Sequence, residues 1–157
     1  MNGVGSGYLH VSRRRVRFAE TDCTTRVFFP KYVEWIDDAV QDFMRERGLE
    51  FDERGNMLVG GRSVDWTIVT GEYQCRMLRP LKMNDLLEVG IRLERIGARS
   101  VTFRGEVLRD GELVAAGSIT YVCVDPKEMR SRDLPKELVE AIGGGGQSEL
   151  GTSSGVL

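Results

Sequence analysis

A chain of 157 residues, 41% hydrophobic and 29% charged, is long enough for one well-filled core and ordinary enough for a globular protein. A formal net charge of −2 and a pI near 5.6 give no field that would draw it to nucleic acid or an anionic membrane. No apolar run approaches the ~20 residues of a membrane-spanning helix, and MNGVGSGYLH lacks the charged-then-apolar order of a secretory signal.

Cys23, Cys75 and Cys123 are dispersed, with no Cys-x-x-Cys pair. That spacing reads as reduced thiols of a cytoplasmic protein, with no disulfide or metal framework. His10 is the only histidine, so Cys23 lacks the base a nucleophilic cysteine needs. The glycine-rich stretches 1–8 and 143–157 carry too little apolar area to offset the entropy of ordering. They read as flexible tails around one domain, 9–142. The opening GVGSG has no strand before it and no helix after it, so it is not a phosphate loop.

Along the chain, residues 11–19 read as a first strand. Tyr32, Trp35, Ile36, Ala39, Val40, Phe43 and Met44 then recur at three- and four-residue steps, which predicts an amphipathic helix from Pro30 to about Arg47. Pro30 suits the first helical position and Gly48 the stop. After Gly61 the period falls to two. Val64–Met77 reads as one long strand or a bent pair, and further strands follow around Leu87–Leu93, Val101–Val107 and Leu113–Cys123. Asp110-Gly111 marks a tight hairpin, 95–99 a looser one, and Leu134–Ile142 a short closing helix. A meander with one apolar face needs cover, and the long helix has the only large apolar stripe. The pattern therefore predicts an α+β fold, a curved antiparallel sheet wrapped around one long central helix.

The stretch "RFAETDCTTRVFFPKYVEWID", followed by "RPLKMNDLLEV", resembles the hot-dog-fold acyl-CoA thioesterases of the 4-hydroxybenzoyl-CoA thioesterase family. The shared pattern is Glu20-x-Asp22, then Val27-Phe28-Phe29-Pro30-Lys31-Tyr32 and Trp35, then Asn84-Asp85 opening a strand; it spans about 11–125. The resemblance implies a homodimer or homotetramer with the site at a subunit boundary. It also implies an acyl-CoA substrate, no cofactor beyond the substrate's own coenzyme A, and no metal. Asp22 matches the family's catalytic carboxylate, and the backbone N–H of Phe29 matches the group that polarises the thioester carbonyl. Pro30 has no N–H, so Phe29 is the last donor before the helix. Val27, Phe28 and Phe29 would exclude water and hold the acyl group. Thr25 stands where the family has glycine, which stiffens the loop or alters its path. Phe29 stands where one branch has histidine and another tyrosine.

Other residues carry competing readings. Glu20 reads as structural, orienting the loop or an arginine, and Trp35 as core. Trp66 reads as either a pocket wall or a residue packed at an interface. Arg13, Arg14, Arg15 and Arg17 read as a solvated sheet edge. Arg99 and, after it, Lys82 or Arg79 are candidates for the phosphates of coenzyme A. A dehydratase on the same fold would need a histidine–acid pair, and His10 lies upstream of the expected first strand. The functions left in play are an acyl-CoA thioesterase, an acyl-carrier-protein thioesterase, and a non-catalytic acyl-CoA-binding domain.

Overall fold

The computed structural model describes residues 7–143. Its elements in chain order are β1 (His10–Arg15), a 3₁₀ turn (Phe18–Glu20), α1 (Pro30–Glu46), β2 (Leu49–Phe51), β3 (Met57–Val59) and β4 (Arg62–Ser63). Then come β5 (Thr67–Met77), β6 (Leu86–Ile96), β7 (Ser100–Arg109), β8 (Glu112–Val124) and α2 (Lys136–Gly143). Five strands form one sheet in the order β1-β6-β7-β8-β5, and β2-β3-β4 form a small second sheet. The class is α+β, an antiparallel sheet with one long helix, as the periodicity predicts.

α1 starts at Pro30 and stops before Gly48, whose φ of +83° is a left-handed stop open to glycine. The β7–β8 hairpin turns on Asp110 and Gly111, both at positive φ (+53° and +78°), the pair of angles an Asp-Gly turn supplies. β1 is shorter than expected: it begins at His10, which therefore lies inside the first strand, and it ends at Arg15. It pairs antiparallel with β6, from His10 opposite Ile91 to Arg15 opposite Leu86.

The chain divides into two compact units. One holds the chain up to Val40 with Tyr73–Arg92 and Arg104–Ile119; the other holds Gln41–Glu72, Leu93–Phe103 and the chain from Thr120 onward. In the first, Tyr32, Trp35, Ile36, Ala39 and Val40 of α1 are buried, as are Leu87, Val89 and Ile91 of β6 and Val107 of β7. The flexible-tail reading is corrected at residues 7 and 8. The Tyr8 hydroxyl donates to Glu106, and its ring lies 4.1 Å from the Arg92 guanidinium. Residues 1–6 and 144–157 lie outside the described residues.

In the second unit, Phe43 meets Phe103 edge-on at 5.9 Å, and Phe103 meets Tyr121 at 6.2 Å. Leu49, Met57, Trp66, Leu138 and Ile142 are buried there too.

Gly105 is one of the close approaches in the first unit. A Cβ placed on Gly105 would sit 2.5–2.9 Å from three carbons of the Ile36 side chain. Ile36 is fully buried and β-branched, so in a helix it has essentially one rotamer and cannot swing aside. Gly105→Ala should therefore destabilise the protein by about 1–3 kcal/mol, as overpacking does, read as a lowered thermal midpoint with the fold retained.

Candidate active site

The turn between β1 and α1 is built around Glu20. Its carboxylate accepts from the Trp35 indole N–H at 2.9 Å, from the backbone N–H of Arg17 at 2.8 Å, and from the Arg14 guanidinium. Arg14 in turn lies over the Trp35 ring, 5.0 Å from its centroid. Burial pushes the Glu20 carboxyl up, but these three donors outweigh it and leave it below the ordinary carboxylate range. Arg14 is thus an inward anchor rather than part of a solvated edge. Arg13 does face outward, on Glu88 across the strand pair at 3.1 Å. The carbonyl of Glu20 accepts the Phe28 N–H at 2.8 Å, which closes the segment from 20 to 28 into a loop.

Asp22 sits within that loop. One carboxylate oxygen, Oδ1, accepts the Thr24 N–H at 2.8 Å and the Thr24 hydroxyl at 2.5 Å. The Thr24 hydroxyl is the main cause that holds the Asp22 carboxyl below its ordinary value, followed by the Thr24 N–H, with the Arg26 backbone N–H and then its charge adding to them. Asp22 is exposed, and it lines neither cavity of this face.

At the mouth of α1 the donors are accounted for one by one. Phe28 N–H goes to Glu20, Lys31 N–H to the Phe28 carbonyl at 2.9 Å, and Tyr32 N–H to the Phe29 carbonyl at 3.4 Å. Among the described residues the Phe29 N–H has no acceptor. It is an open donor at the positive end of a 17-residue helix.

A cavity of about 280 Å³ adjoins it, lined by Val27, Phe29, Tyr32, Met77, Leu78 and Leu81 together with Arg26, Arg79 and Pro80. Val27 is buried there, its N–H on the Leu81 carbonyl at 2.8 Å. Phe28 does not line this cavity; its ring stands outside against Phe29 at 5.3 Å. Tyr32, Met77 and Leu78 were not expected as walls. Tyr32 reads in sequence as one more residue of the buried stripe, and the end of β5 as ordinary alternation.

Two further candidate residues are engaged by neighbouring side chains. Trp66 is a packing residue of the second unit: it is 1% exposed, and its indole N–H is spent on Glu137 at 2.9 Å. Arg99, also in that unit, is held by Asp133 at 3.1 Å and by the Ser131 hydroxyl. Lys82 lies in the first unit, opposite Arg26 in an antiparallel bridge.

A model of the thioesterase-like superfamily matches residues 16–142. The chain belongs to that family. Its enzyme class is that of the thioester hydrolases. Among the known members of the superfamily, a 1,4-dihydroxy-2-naphthoyl-CoA hydrolase of Synechococcus sp. (strain CC9605) is 27% identical over 78% of this chain and 81% of its own. The acyl-CoA thioester hydrolase YbgC of Escherichia coli O157:H7 is 26% identical over 80% of this chain and 89% of its own. The crystal structure of Slr0204, a 1,4-dihydroxy-2-naphthoyl-CoA thioesterase from Synechocystis, superposes with a TM-score of 0.73 at 18% identity. It covers 85% of this chain and 94% of that one, which places this superfamily member in the hot-dog fold.

Within the superfamily's turn, Thr25 takes φ +67°. The threonine keeps the left-handed conformation that glycine would adopt, at the cost a β-branched residue has there. Thr25→Gly should leave the fold intact and stabilise it by up to about 1 kcal/mol, measured as a raised midpoint in thermal or denaturant unfolding.

Proposed function

We propose that the protein hydrolyses acyl-CoA thioesters, with Asp22 as nucleophile or general base and the Phe29 N–H as the donor to the carbonyl oxygen. The observation that carries this reading is the unpaired Phe29 N–H at the helix mouth, next to an apolar cavity and in the same turn as Asp22. A thioester carbonyl has little resonance stabilisation, so a carboxylate can attack it or activate water against it. As negative charge grows on the oxygen, a fixed backbone donor at a helix N-terminus stabilises it with no reorganisation.

If Asp22 attacks, a carboxylate oxygen bonds to the carbonyl carbon, the C–S bond breaks, and the thiolate leaves and takes up a proton. Water then hydrolyses the resulting anhydride to the free acid. If Asp22 acts as a base, it takes a proton from the water that attacks the same carbon; the C–S bond then breaks and the leaving thiolate takes up that proton. Both routes use the ionised carboxylate, and both return Asp22 unchanged.

An exposed nucleophile is poorly protected from bulk water, so the reading includes a second copy of the chain. β5 lies at the edge of the sheet, and apart from the half-covered Cys75 every residue from Thr70 to Pro80 is exposed. Tyr73, Met77 and Leu78 are among the exposed large apolar residues. A long open strand of that kind pairs with its own copy across a twofold axis. In the proposed homodimer the pairing would cover the Asp22 turn and leave the two sites at the subunit boundary.

Asp22→Asn should cut coenzyme A release by about 100- to 10,000-fold while leaving the melting temperature unchanged. A panel of acyl-CoA chain lengths measures this. Turnover surviving within a few-fold on every ester would refute the role, and binding without turnover in the wild type would make the protein an acyl-CoA carrier.

The pH profile gives a second check. Thr24 stabilises the charged form of Asp22 and so lowers its pKa; without the hydroxyl the pKa must rise. The wild-type kcat/KM should hold down to the ordinary carboxylate range, and the acid limb of Thr24→Val should appear at higher pH. A limb that does not move means that Asp22 ionisation does not control the rate.

A further inference from the structure

A second cavity, about 330 Å³, is lined by Thr25, Arg26, Arg79, Pro80, Leu81, Lys82 and Arg109. It shares Arg26, Arg79, Pro80 and Leu81 with the apolar cavity beside Phe29. We propose that Arg26 and Lys82 form a seat for an oxyanion of the substrate, either a phosphate of the thiol carrier or a carboxylate on the acyl group. The inference rests on the thioesterase reading and deepens it.

The four cations of this cavity are not equivalent. Arg79 is engaged by Glu112 at 2.7 Å and Arg109 by Asp85 at 3.1 Å. The side chains of Arg26 and Lys82 have no ion pair or hydrogen bond among the described residues; the Arg26 backbone N–H serves the Asp22 carboxylate, and its guanidinium acts there only through space. They are also direct partners in an antiparallel bridge, which sets their side chains opposite each other on one face. Like charges so placed repel, and an apolar or neutral pair would be more stable in the free protein.

An oxyanion between them converts that repulsion into two charge-assisted contacts. Arg26 offers a planar fork and Lys82 a mobile point charge, which suit a phosphate or a carboxylate alike. The shared wall then fixes the order of the substrate: its neutral part lies against Val27, Tyr32 and Leu78, and its charged part on the bridge.

The test uses Lys82→Ala and Arg26→Gln in the full chain. Four thioesters are compared: a neutral acyl group and its ω-carboxylated counterpart, each on coenzyme A and on N-acetylcysteamine, which carries no phosphate. A phosphate seat predicts that the ratio of kcat/KM for the coenzyme A esters over the N-acetylcysteamine esters falls about ten- to hundredfold in the variants. A carboxylate seat predicts an equal fall in the ratio of carboxylated over neutral acyl groups, on both carriers.

Calorimetric titration with coenzyme A and with glutarate reads the seat independently of turnover. A wild type that binds one of them, more tightly than the variants do, but hydrolyses none of the four esters would sink the thioesterase reading and keep the seat. Binding of neither anion by the wild type overturns the seat. So do variants whose two ratios match the wild type. The expected melting temperatures are at or above wild type; a lowered one with an even loss on all four esters means the pair is structural, and overturns the proposal.

Discussion

The Glu20 carboxylate is the contact on which the site geometry depends. It gathers a guanidinium from β1, an indole from α1 and a main-chain N–H from the 3₁₀ turn between them. Its own carbonyl then takes the Phe28 N–H. Carboxylate and carbonyl of one residue thus fix both ends of the loop that carries Asp22. Because Phe28 is consumed in that closure and Pro30 has no hydrogen to give, the one donor left over at the helix mouth is Phe29. The open donor is a consequence of how the loop is tied, and no side chain has to create it.

The same arrangement separates tasks that are easily conflated in a pair of nearby acids. Glu20 is largely covered and saturated with donors, whereas Asp22 is exposed. Both are held below the ordinary carboxylate range, yet for different reasons. Glu20 is charged despite its burial, through three partners; Asp22 is charged because Thr24 folds back onto it. Only the second kind of carboxylate is open to solvent.

Much of this was legible in the sequence, wherever the signal is local. The helix announces itself by its apolar stripe between Pro30 and Gly48, the β7–β8 hairpin by Asp-Gly, and the turn by Glu20-x-Asp22 ahead of Pro30. The small β2-β3-β4 sheet was not legible, because strands of two or three residues are too short to show a period. The contacts that engage Trp66 and Arg99 were not legible for another reason. Their partners, Glu137 and Asp133, lie 71 and 34 residues away along the chain, and nothing in a linear reading pairs them. The cavity walls at Met77 and Leu78 were hidden in the same way, since an apolar residue at a strand end looks alike whether it faces a core or a cleft.

The chain has two tryptophans, and each is buried with its indole N–H on a glutamate, Trp35 on Glu20 in one unit and Trp66 on Glu137 in the other. The molecule therefore carries one indole fluorophore per unit, each buried against the contact that orders its surroundings. Removing either indole leaves a single-colour reporter: emission from Trp35 follows the closure of the reactive turn, and emission from Trp66 follows the seating of α2.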